Sequence, residues 1–203
     1  MRSHPFETKL RKEGIFSFAG VDEAGRGPWA GPLVAAAVIL PLNAKIPGLD
    51  DSKKLNAEMR IKLFANLVKN ADFGVGIVPS FYIDKHGLTK ALNVAYQKAI
   101  KGLSRHPKYV LVDGIGKYDL DLDYKTIKKG DSKVRVIAAA SIIAKVVRDT
   151  IMDAYSLKYP KYGFDKHKGY GTRQHQQNLL KYGMCRLHRK SFAPIKDLIN
   201  ASK

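Results

Sequence analysis

Four acidic residues stand out in this sequence, because each lies at the end of an apolar segment or in a turn that contains glycine. They are Asp22, Glu23, Asp113 and Asp131. Carboxylates are ligands that Mg²⁺ prefers, and two divalent ions about 4 Å apart can activate a water and stabilise the leaving oxygen of a phosphodiester. Acidic residues in turns are also common for structural reasons alone. The spacing therefore predicts a metal site but leaves open whether the four side chains meet.

The segment Gly25-Arg26-Gly27 follows the paired acids and lies between two apolar runs, at 15–21 and 33–40. Glycine accepts unusual dihedral angles and lets another molecule approach the main chain closely. The N–H groups of this segment could therefore bind an anion or a sugar hydroxyl. An ordinary tight turn would have the same composition.

Two polar pairs could hold backbone phosphates. Ser52 and Lys53 combine a hydroxyl with a cation within the segment 51–54, although an exposed charged segment would look the same. Ser141 and Lys145 are four positions apart in a predicted helix and share one face. Helix packing beside an exposed lysine is the alternative for this second pair.

The sequence becomes basic and aromatic beyond residue 159, and two residues there could contact a nucleic acid. Lys168 offers a cation, and the ring of Tyr170 could stack on a sugar or a base. A tyrosine half-buried against the protein is the alternative. His167, His175 and His188 lack the spacing of a metal site, so we expect them to support the structure or touch phosphates.

The charge balance points to a polyanionic partner. The chain of 203 residues carries 36 Lys and Arg against 18 Asp and Glu, a formal net charge of +18. An excess of this size is typical of nucleic-acid binding, although a solubility surface would also produce it. Acids weaken the binding of a polyanion unless a metal occupies them, so the acidic set favours a metal-dependent nuclease over a simple binding module.

The remaining composition excludes several classes. Cys185 is the only cysteine, which excludes a disulfide within the chain and a cysteine-rich zinc site. We expect a cytoplasmic location, in keeping with a reducing compartment. Residues 1–14 do not read as a signal peptide, and no apolar stretch reaches the roughly 20 residues that span a bilayer. We therefore expect no association with membranes. Nothing in the sequence suggests an obligate partner, so we expect a monomer.

Hydrophobic patterning predicts the elements that would position these residues. Strands are expected at 15–21, 33–40, 73–78 and 109–112, and helices at 56–70, 88–103 and 134–157. Two antiparallel strands joined through the glycine-containing segment would place the acid pair beside it. Strands come early and helices later, which predicts an α/β protein with a mixed sheet flanked by helices.

Seven blocks of the sequence occur together in the order of one known family. They are 20–28, 51–55, 112–114, 129–131, 139–146, 167–170 and 188–192. The blocks contain the motifs DEAGRGP, DSKKL, VDG, KGD, AASIIAKV, HKGY and HRKSF. With these motifs, the chain closely resembles type 2 ribonucleases H, in their ribonuclease HII branch. The likeness runs from about Phe18 to Pro194, which is nearly the whole chain.

This resemblance implies a ribonuclease H-like mixed β-sheet flanked by helices, with a C-terminal helical portion. It implies endonucleolytic cleavage of RNA within RNA–DNA hybrids, and nicking on the 5′ side of ribonucleotides embedded in duplex DNA. The products would carry 3′-hydroxyl and 5′-phosphate ends. RNA–DNA hybrids and DNA that contains ribonucleotides would be the partners, and two divalent ions, Mg²⁺ or Mn²⁺, the cofactors.

The resemblance also implies roles for individual residues. The catalytic metal ligands would be Asp22, Glu23, Asp113 and Asp131. The substrate-binding residues would be Gly25, Arg26, Gly27, Ser52, Lys53, Lys145, Lys168 and Tyr170. Among these, residues 25–27 would contact the 2′-hydroxyl and Tyr170 would stack on the sugar at the RNA-to-DNA step. Only a ribose offers a 2′-hydroxyl, so this arrangement would account for specificity.

Two features lie outside the family pattern. Trp29 stands where a smaller aliphatic residue is usual, and it would either pack or touch the substrate. Residues 1–13 precede the signature, and we expect a basic extension that moves as an arm before a single domain at 14–203. Two other functions stay open. A non-catalytic binding module would ignore the sugar. A DNA-directed nuclease or a transposase-like enzyme on the same fold would cleave an all-DNA duplex.

Overall fold

The computed structural model describes residues 5–41, 44–50, 52–53 and 55–201. Its helices are α1 (Pro5–Lys12), α2 (Ala57–Asn70), α3 (Ser80–Lys101), α4 (Arg135–Lys158), α5 (Phe164–His167), α6 (Arg173–Tyr182) and α7 (Ala193–Ala201). Its strands are β1 (Phe18–Ala24), β2 (Leu33–Ile39), β3 (Asp72–Val78), β4 (Tyr109–Asp113) and β5 (Tyr124–Ile127). None of the helices in these ranges is long and apolar enough to cross a membrane.

The five strands form one mixed sheet in the order β3-β2-β1-β4-β5. The first three strands of the chain pair antiparallel, whereas β4 runs parallel to both β1 and β5. Parallel strands end at the same edge of a sheet, and Val21 of β1 is in register with Val112 of β4. The next residues along these strands, Asp22 and Asp113, therefore lie at one edge. The predicted mixed sheet flanked by helices is confirmed.

Helices cover both faces of the central strands. Every residue of β2 is buried, as expected for an apolar strand covered on both sides. One core contains α3 and the other contains α2 and α4. A Cβ on Gly20 would lie 2.2 Å from the carbonyl carbon of Val136. Glycine at this position therefore lets α4 lie directly on β1, beside the acid pair.

The sequence predicts the start of α2 correctly, but it misplaces the start of α3 and does not predict β5. Asn56 caps α2 as expected, and its Oδ1 accepts a hydrogen bond from the N–H of Met59 at 2.8 Å. By contrast, α3 begins at Ser80, eight residues earlier than predicted, and Gly87 breaks its regular dihedral angles with φ 80° and ψ 162°. That break explains why the periodicity was visible only beyond residue 87. The partly exposed strand β5 was not predicted, because its burial gives no clear alternation.

Residues 5–12 do not form the mobile arm that the sequence suggested. They form α1, in which Leu10 is buried against the core that contains Phe18 and Val136. Glu7 is also buried, and its Oε1 accepts a hydrogen bond from the N–H of Val136 at 3.4 Å, in the first turn of α4. The expectation of an arm is wrong for these residues, because their apolar face packs on the domain. The domain boundary after residue 13 stays a prediction.

The C-terminal helical portion attaches to the loop between β1 and β2. The N–H of Trp29 donates to the carbonyl of Gly169 at 2.9 Å, and the N–H of Arg189 donates to the carbonyl of Trp29 at 2.7 Å. The indole ring of Trp29 packs directly against Gly171, where a Cβ would lie only 2.2 Å from the ring. Its centroid lies 5.4 Å from that of the His175 ring. Of its two expected roles, Trp29 therefore shows the packing role.

The three C-terminal histidines lie in the interior rather than facing a ligand. The rings of His167 and His175 stack at 4.4 Å, and Nε2 of His175 lies 3.1 Å from Nε2 of His188. All three side chains are buried beside Phe164. The structural role predicted for them is the one observed.

Candidate active site

Three of the four predicted acids meet at the sheet edge. One carboxylate oxygen from each of Asp22, Asp113 and Asp131 lies within 4.8 Å of the others. The first two residues lie on the parallel strands β1 and β4, and the third lies in the 3₁₀ turn Gly130–Ser132 before α4. Side chains from distant parts of the chain thus form one compact oxygen cluster.

Main-chain N–H groups fix the orientation of this cluster. Asp22 Oδ1 accepts from the N–H of Glu23 at 2.7 Å, and Asp113 Oδ1 accepts from the N–H of Gly130 at 2.6 Å. Asp131 Oδ1 accepts from the N–H of Ser132 at 2.9 Å. Each of these carboxylates keeps a second oxygen that its main-chain hydrogen bond does not use.

The electrostatics of the cluster favour a cation. Burial raises the pKa of Asp22 well above its usual value, and the carboxylates of Glu23 and Asp113 raise it further. Burial also raises the pKa of Asp113, and the charge of Asp131 adds to that increase. Both shifts arise because several carboxylates lie close together where solvation is poor. An all-oxygen donor set of this kind fits a hard divalent ion such as Mg²⁺ or Mn²⁺.

Glu23 is not part of the three-acid cluster. Its Oε2 accepts a hydrogen bond from the hydroxyl of Tyr96, and its Oε1 lies 3.3 Å from Nη1 of Arg26. Burial raises the pKa of Glu23, and the hydrogen bond from Tyr96 opposes that increase. The expected convergence of four carboxylates is thus observed for three, with the fourth held beside them.

Asp22, Glu23 and Asp113 line a cleft of about 330 Å³ together with most of the predicted substrate residues. These substrate residues are Gly25, Arg26, Gly27, Ser52, Lys53, Lys145 and Tyr170. Lys168 is not among the lining residues. Its ammonium group contacts the carboxylate of Asp153 and donates to the carbonyl of Asp165 at 2.7 Å. The structure therefore brings all the predicted substrate residues except Lys168 to one place.

The two predicted polar pairs lie on the walls of the cleft. Nζ of Lys53 donates to Oδ2 of Asp131 at 2.7 Å, and the hydroxyls of Ser52 and Ser141 lie 2.6 Å apart. Lys145 donates to Asp149 at 2.8 Å, so its cation is partly neutralised on its own helix. Asp51 and Lys54 of the same predicted motif lie outside the described residues.

The glycine-containing turn needs its first glycine for steric reasons. Gly25 has φ 100°, and a Cβ there would lie 2.3 Å from Nε of Arg148 and 2.7 Å from the carbonyl oxygen of Pro32. A Cβ on Gly27 would meet nothing within 4 Å. Gly25 therefore allows tight packing against Arg148 and Pro32, whereas Gly27 leaves open space for a substrate to approach the main chain from the cleft.

Sequence reasoning missed three residues that support this site. Tyr96 holds Glu23, and Arg148 and Arg189 are fully buried beneath the turn. A lone arginine in an amphipathic helix is expected to face solvent, whereas Arg148 of α4 is buried. Arg189 was visible only as part of a basic motif near the C-terminus. A single sequence carries no signal for the burial of these cations, which results from the C-terminal portion folding over the turn.

Comparison with known proteins agrees with this arrangement. A family model described as ribonuclease HII matches residues 19–195. A ribonuclease HII of Syntrophotalea carbinolica is 45% identical over 195 residues, which are 96% of this chain and 93% of that protein. Another from Geobacter metallireducens is 48% identical over 193 residues, covering 95% of this chain and 91% of its relative.

Solved structures show the same fold. Ribonuclease H2 from Pyrococcus horikoshii superposes with a TM-score of 0.76 at 27% identity, over 91% of this chain and 98% of the other. Ribonuclease HII from Archaeoglobus fulgidus, solved in a complex with PCNA, superposes with a TM-score of 0.73 at 26% identity. The match covers 87% of this chain and 95% of the other.

A mixed sheet flanked by helices, with acids at the edge where β1 and β4 end, defines a ribonuclease H-like nuclease. Within that class, the chain belongs to the ribonuclease HII family. It is an endoribonuclease that acts on RNA–DNA hybrids.

Proposed function

We propose that this enzyme hydrolyses the RNA strand of hybrids and also nicks on the 5′ side of single ribonucleotides in duplex DNA, leaving 3′-hydroxyl and 5′-phosphate ends. The observation that carries the proposal is that Asp22 and Asp113 of the three-acid cluster line the same cleft as the turn 25–27. A cluster suited to phosphodiester hydrolysis lies next to main-chain groups that could recognise a ribose.

Asp22, Asp113 and Asp131 would hold divalent ions, with Glu23 beside them as the fourth ligand. When bound, Mg²⁺ or Mn²⁺ would activate a water for attack on the phosphorus and stabilise the leaving 3′-oxygen. The carboxylates keep their orientation through hydrogen bonds from the main chain. Little rearrangement of the protein is then needed before the reaction, which is the condition for effective electrostatic stabilisation.

Recognition of the ribose is assigned to the turn 25–27 and to Tyr170. Tyr170 is 42% exposed and lines the cleft, so its ring is accessible for stacking. The cations of Arg148 and Lys145 lie 5.6 Å and 6.0 Å from its centroid. These contacts hold the aromatic ring in place before the substrate arrives. A sugar that stacks there would lie in the same cleft as the N–H groups of the turn.

The remaining predicted contacts are to phosphates. Ser52, Lys53 and Lys145 line the cleft and could bind the backbone on either side of the reacting bond. Lys168 has weaker support, because its ammonium group is engaged by Asp153.

We also propose that the enzyme is monomeric and cytoplasmic. The Archaeoglobus complex with PCNA makes a replication clamp a candidate protein partner.

The experiment is cleavage of a DNA duplex that contains one ribonucleotide, assayed separately with Mg²⁺ and Mn²⁺. We expect one nick on the 5′ side of the ribonucleotide and no cleavage of the matched all-DNA duplex. Tyr170→Phe should retain most of the activity, and Tyr170→Ala should lose it on this substrate. Cleavage of the all-DNA duplex would favour a DNA-directed nuclease, and salt-sensitive binding without any cleavage would favour a binding module.

A further inference from the structure

Two buried arginines hold the main chain of the loop between β1 and β2. Arg189 donates to the carbonyl of Gly25 at 2.6 Å, to that of Arg26 at 3.0 Å and to that of Gly31 at 3.0 and 3.1 Å. Arg148 donates to the carbonyl of Pro32 at 3.0 Å and to that of Ala30 at 3.2 Å. Five carbonyl groups of one short loop are thus fixed on two guanidinium groups.

The contacts of Arg189 determine where the N–H groups of the turn point. All peptide bonds in the described residues are trans, and the C=O and N–H of a trans peptide point in opposite directions. Holding the carbonyls of Gly25 and Arg26 on Arg189 therefore turns the N–H groups of Arg26 and Gly27 away from it. These two residues line the cleft.

Within the part of the chain that the structure describes, no carboxylate contacts either guanidinium group directly. The hydrogen-bond acceptors of both guanidinium groups are main-chain carbonyls, and Nη1 of Arg148 has no hydrogen-bond partner among the described residues. Burying two cations costs free energy of desolvation, which is offset only when their N–H groups make well-placed hydrogen bonds. Their contacts also join three distant parts of the chain, since Arg189 comes from the C-terminal portion and Arg148 from α4.

We propose that Arg189 is a positioning residue for sugar selectivity: by holding the carbonyls of Gly25 and Arg26, it orients the N–H groups that distinguish ribose from deoxyribose. Arg148 holds the far end of the same loop and lies beneath the ring of Tyr170. Neither arginine needs to touch the substrate for this role. The inference rests on the proposed function, because it assigns that function's selectivity to a residue outside the cleft lining.

The test measures equilibrium binding, in Ca²⁺ to prevent turnover, of two duplexes that differ by a single 2′-hydroxyl. Wild type should prefer the ribonucleotide duplex. Arg189→Met should reduce that preference by about 5–10-fold, the scale of one misplaced hydrogen bond. Its affinity for the all-DNA duplex and for Mn²⁺ should stay within about twofold of wild type, because neither is assigned to this contact. A general loss of structure would lower all three quantities together.

Arg135→Met is the matched control, since Arg135 also donates to a main-chain carbonyl, that of Ala44, but holds no part of the turn. It should keep the wild-type preference. If Arg189→Met does not melt cooperatively, Arg189→Lys replaces it, because one ammonium group cannot span the carbonyls of Gly25, Arg26 and Gly31. A folded Arg189 variant with the wild-type preference would overturn the inference. A wild-type protein with no ribose preference would instead remove the proposed function, and the inference with it.

Discussion

The hydroxyl of Tyr96 donates a hydrogen bond to Oε2 of Glu23 and holds this carboxylate beside the three-acid cluster instead of within it. Tyr96 is fully buried on α3, and its ring packs edge-on against Tyr118 at 4.9 Å. Arg26 contacts the other oxygen of Glu23 at 3.3 Å. The position of the fourth acid is therefore set by a helix on the opposite face of the sheet from α4.

Replacing Tyr96 by Phe tests whether this hydrogen bond matters for catalysis. The variant keeps the ring and its packing but leaves Oε2 of Glu23 without its donor. We expect turnover to fall about tenfold, the scale of roughly 1.4 kcal/mol of transition-state stabilisation, with little change in the melting temperature. Tyr82→Phe, on the same helix but paired with His86, should leave the rate unchanged. Equal rates for Tyr96→Phe and wild type would show that Glu23 needs no such support.

Replacing Asp22 by Asn should stabilise the protein in the absence of metal. The folded pKa of Asp22 is raised above its unfolded value, so the folded state binds more protons and its stability falls as pH rises through that interval. At neutral pH the charge of Asp22 therefore opposes folding. In EDTA the variant should melt about 2–4 °C higher, the shift that roughly 1 kcal/mol produces in a chain of this size.

The control for that measurement is Asp119→Asn, which removes a carboxylate from an exposed position on the loop before β5. It should melt within about 1 °C of wild type. A lower melting temperature for Asp22→Asn than for wild type would show that the buried carboxylate is compensated in the apoprotein.

The buried histidines make the fold sensitive to acid. Burial lowers the pKa of His175 and of His188 to about 4 from the usual 6.5. The unfolded chain therefore binds protons first, and the stability present above pH 6.5 is lost as pH falls towards 4. We expect His175→Gln to reduce this loss in urea unfolding at pH 7, 6 and 5. His106→Gln, at an exposed position, should follow the wild-type curve, and identical curves for both variants would contradict the assignment.

Helix α1 should contribute to stability if its packing is as described. Leu10→Ala removes a buried side chain and should lower the free energy of unfolding by about 2–5 kcal/mol. Lys9→Ala should cost well under 1 kcal/mol, because the ion pair with Glu13 that it breaks is exposed. An unchanged free energy of unfolding for Leu10→Ala would restore the view of residues 5–12 as a mobile arm.

Much of the site could be predicted because its residues mark the ends of elements. Asp22 and Asp113 directly follow the apolar stretches at 15–21 and 109–112, and such stretches can be located from the hydrophobic pattern alone. That β1 and β4 are parallel neighbours could not be found in this way, because their pairing joins segments about 90 positions apart. The resemblance to a known family supplied the convergence that the pattern could not.

The rest depends on tertiary contacts that leave no local pattern. The displacement of Glu23 from the cluster is caused by Tyr96, a residue 73 positions away. The burial of Arg148 and Arg189 results from the C-terminal portion covering the turn, whereas periodicity alone puts charged residues on the solvent side. The engagement of Lys168 by Asp153 likewise depends on how α4 and α5 pack.

The central claim is that Asp22, Asp113 and Asp131 jointly hold the divalent ions of the reaction. Titration of the protein with Mn²⁺, followed by electron paramagnetic resonance, measures this directly. Wild type and Asp119→Asn should bind Mn²⁺ alike, whereas Asp113→Asn should bind it at least about tenfold more weakly, since one of the clustered anionic ligands is lost. Binding of Mn²⁺ by Asp113→Asn with wild-type affinity would contradict the account.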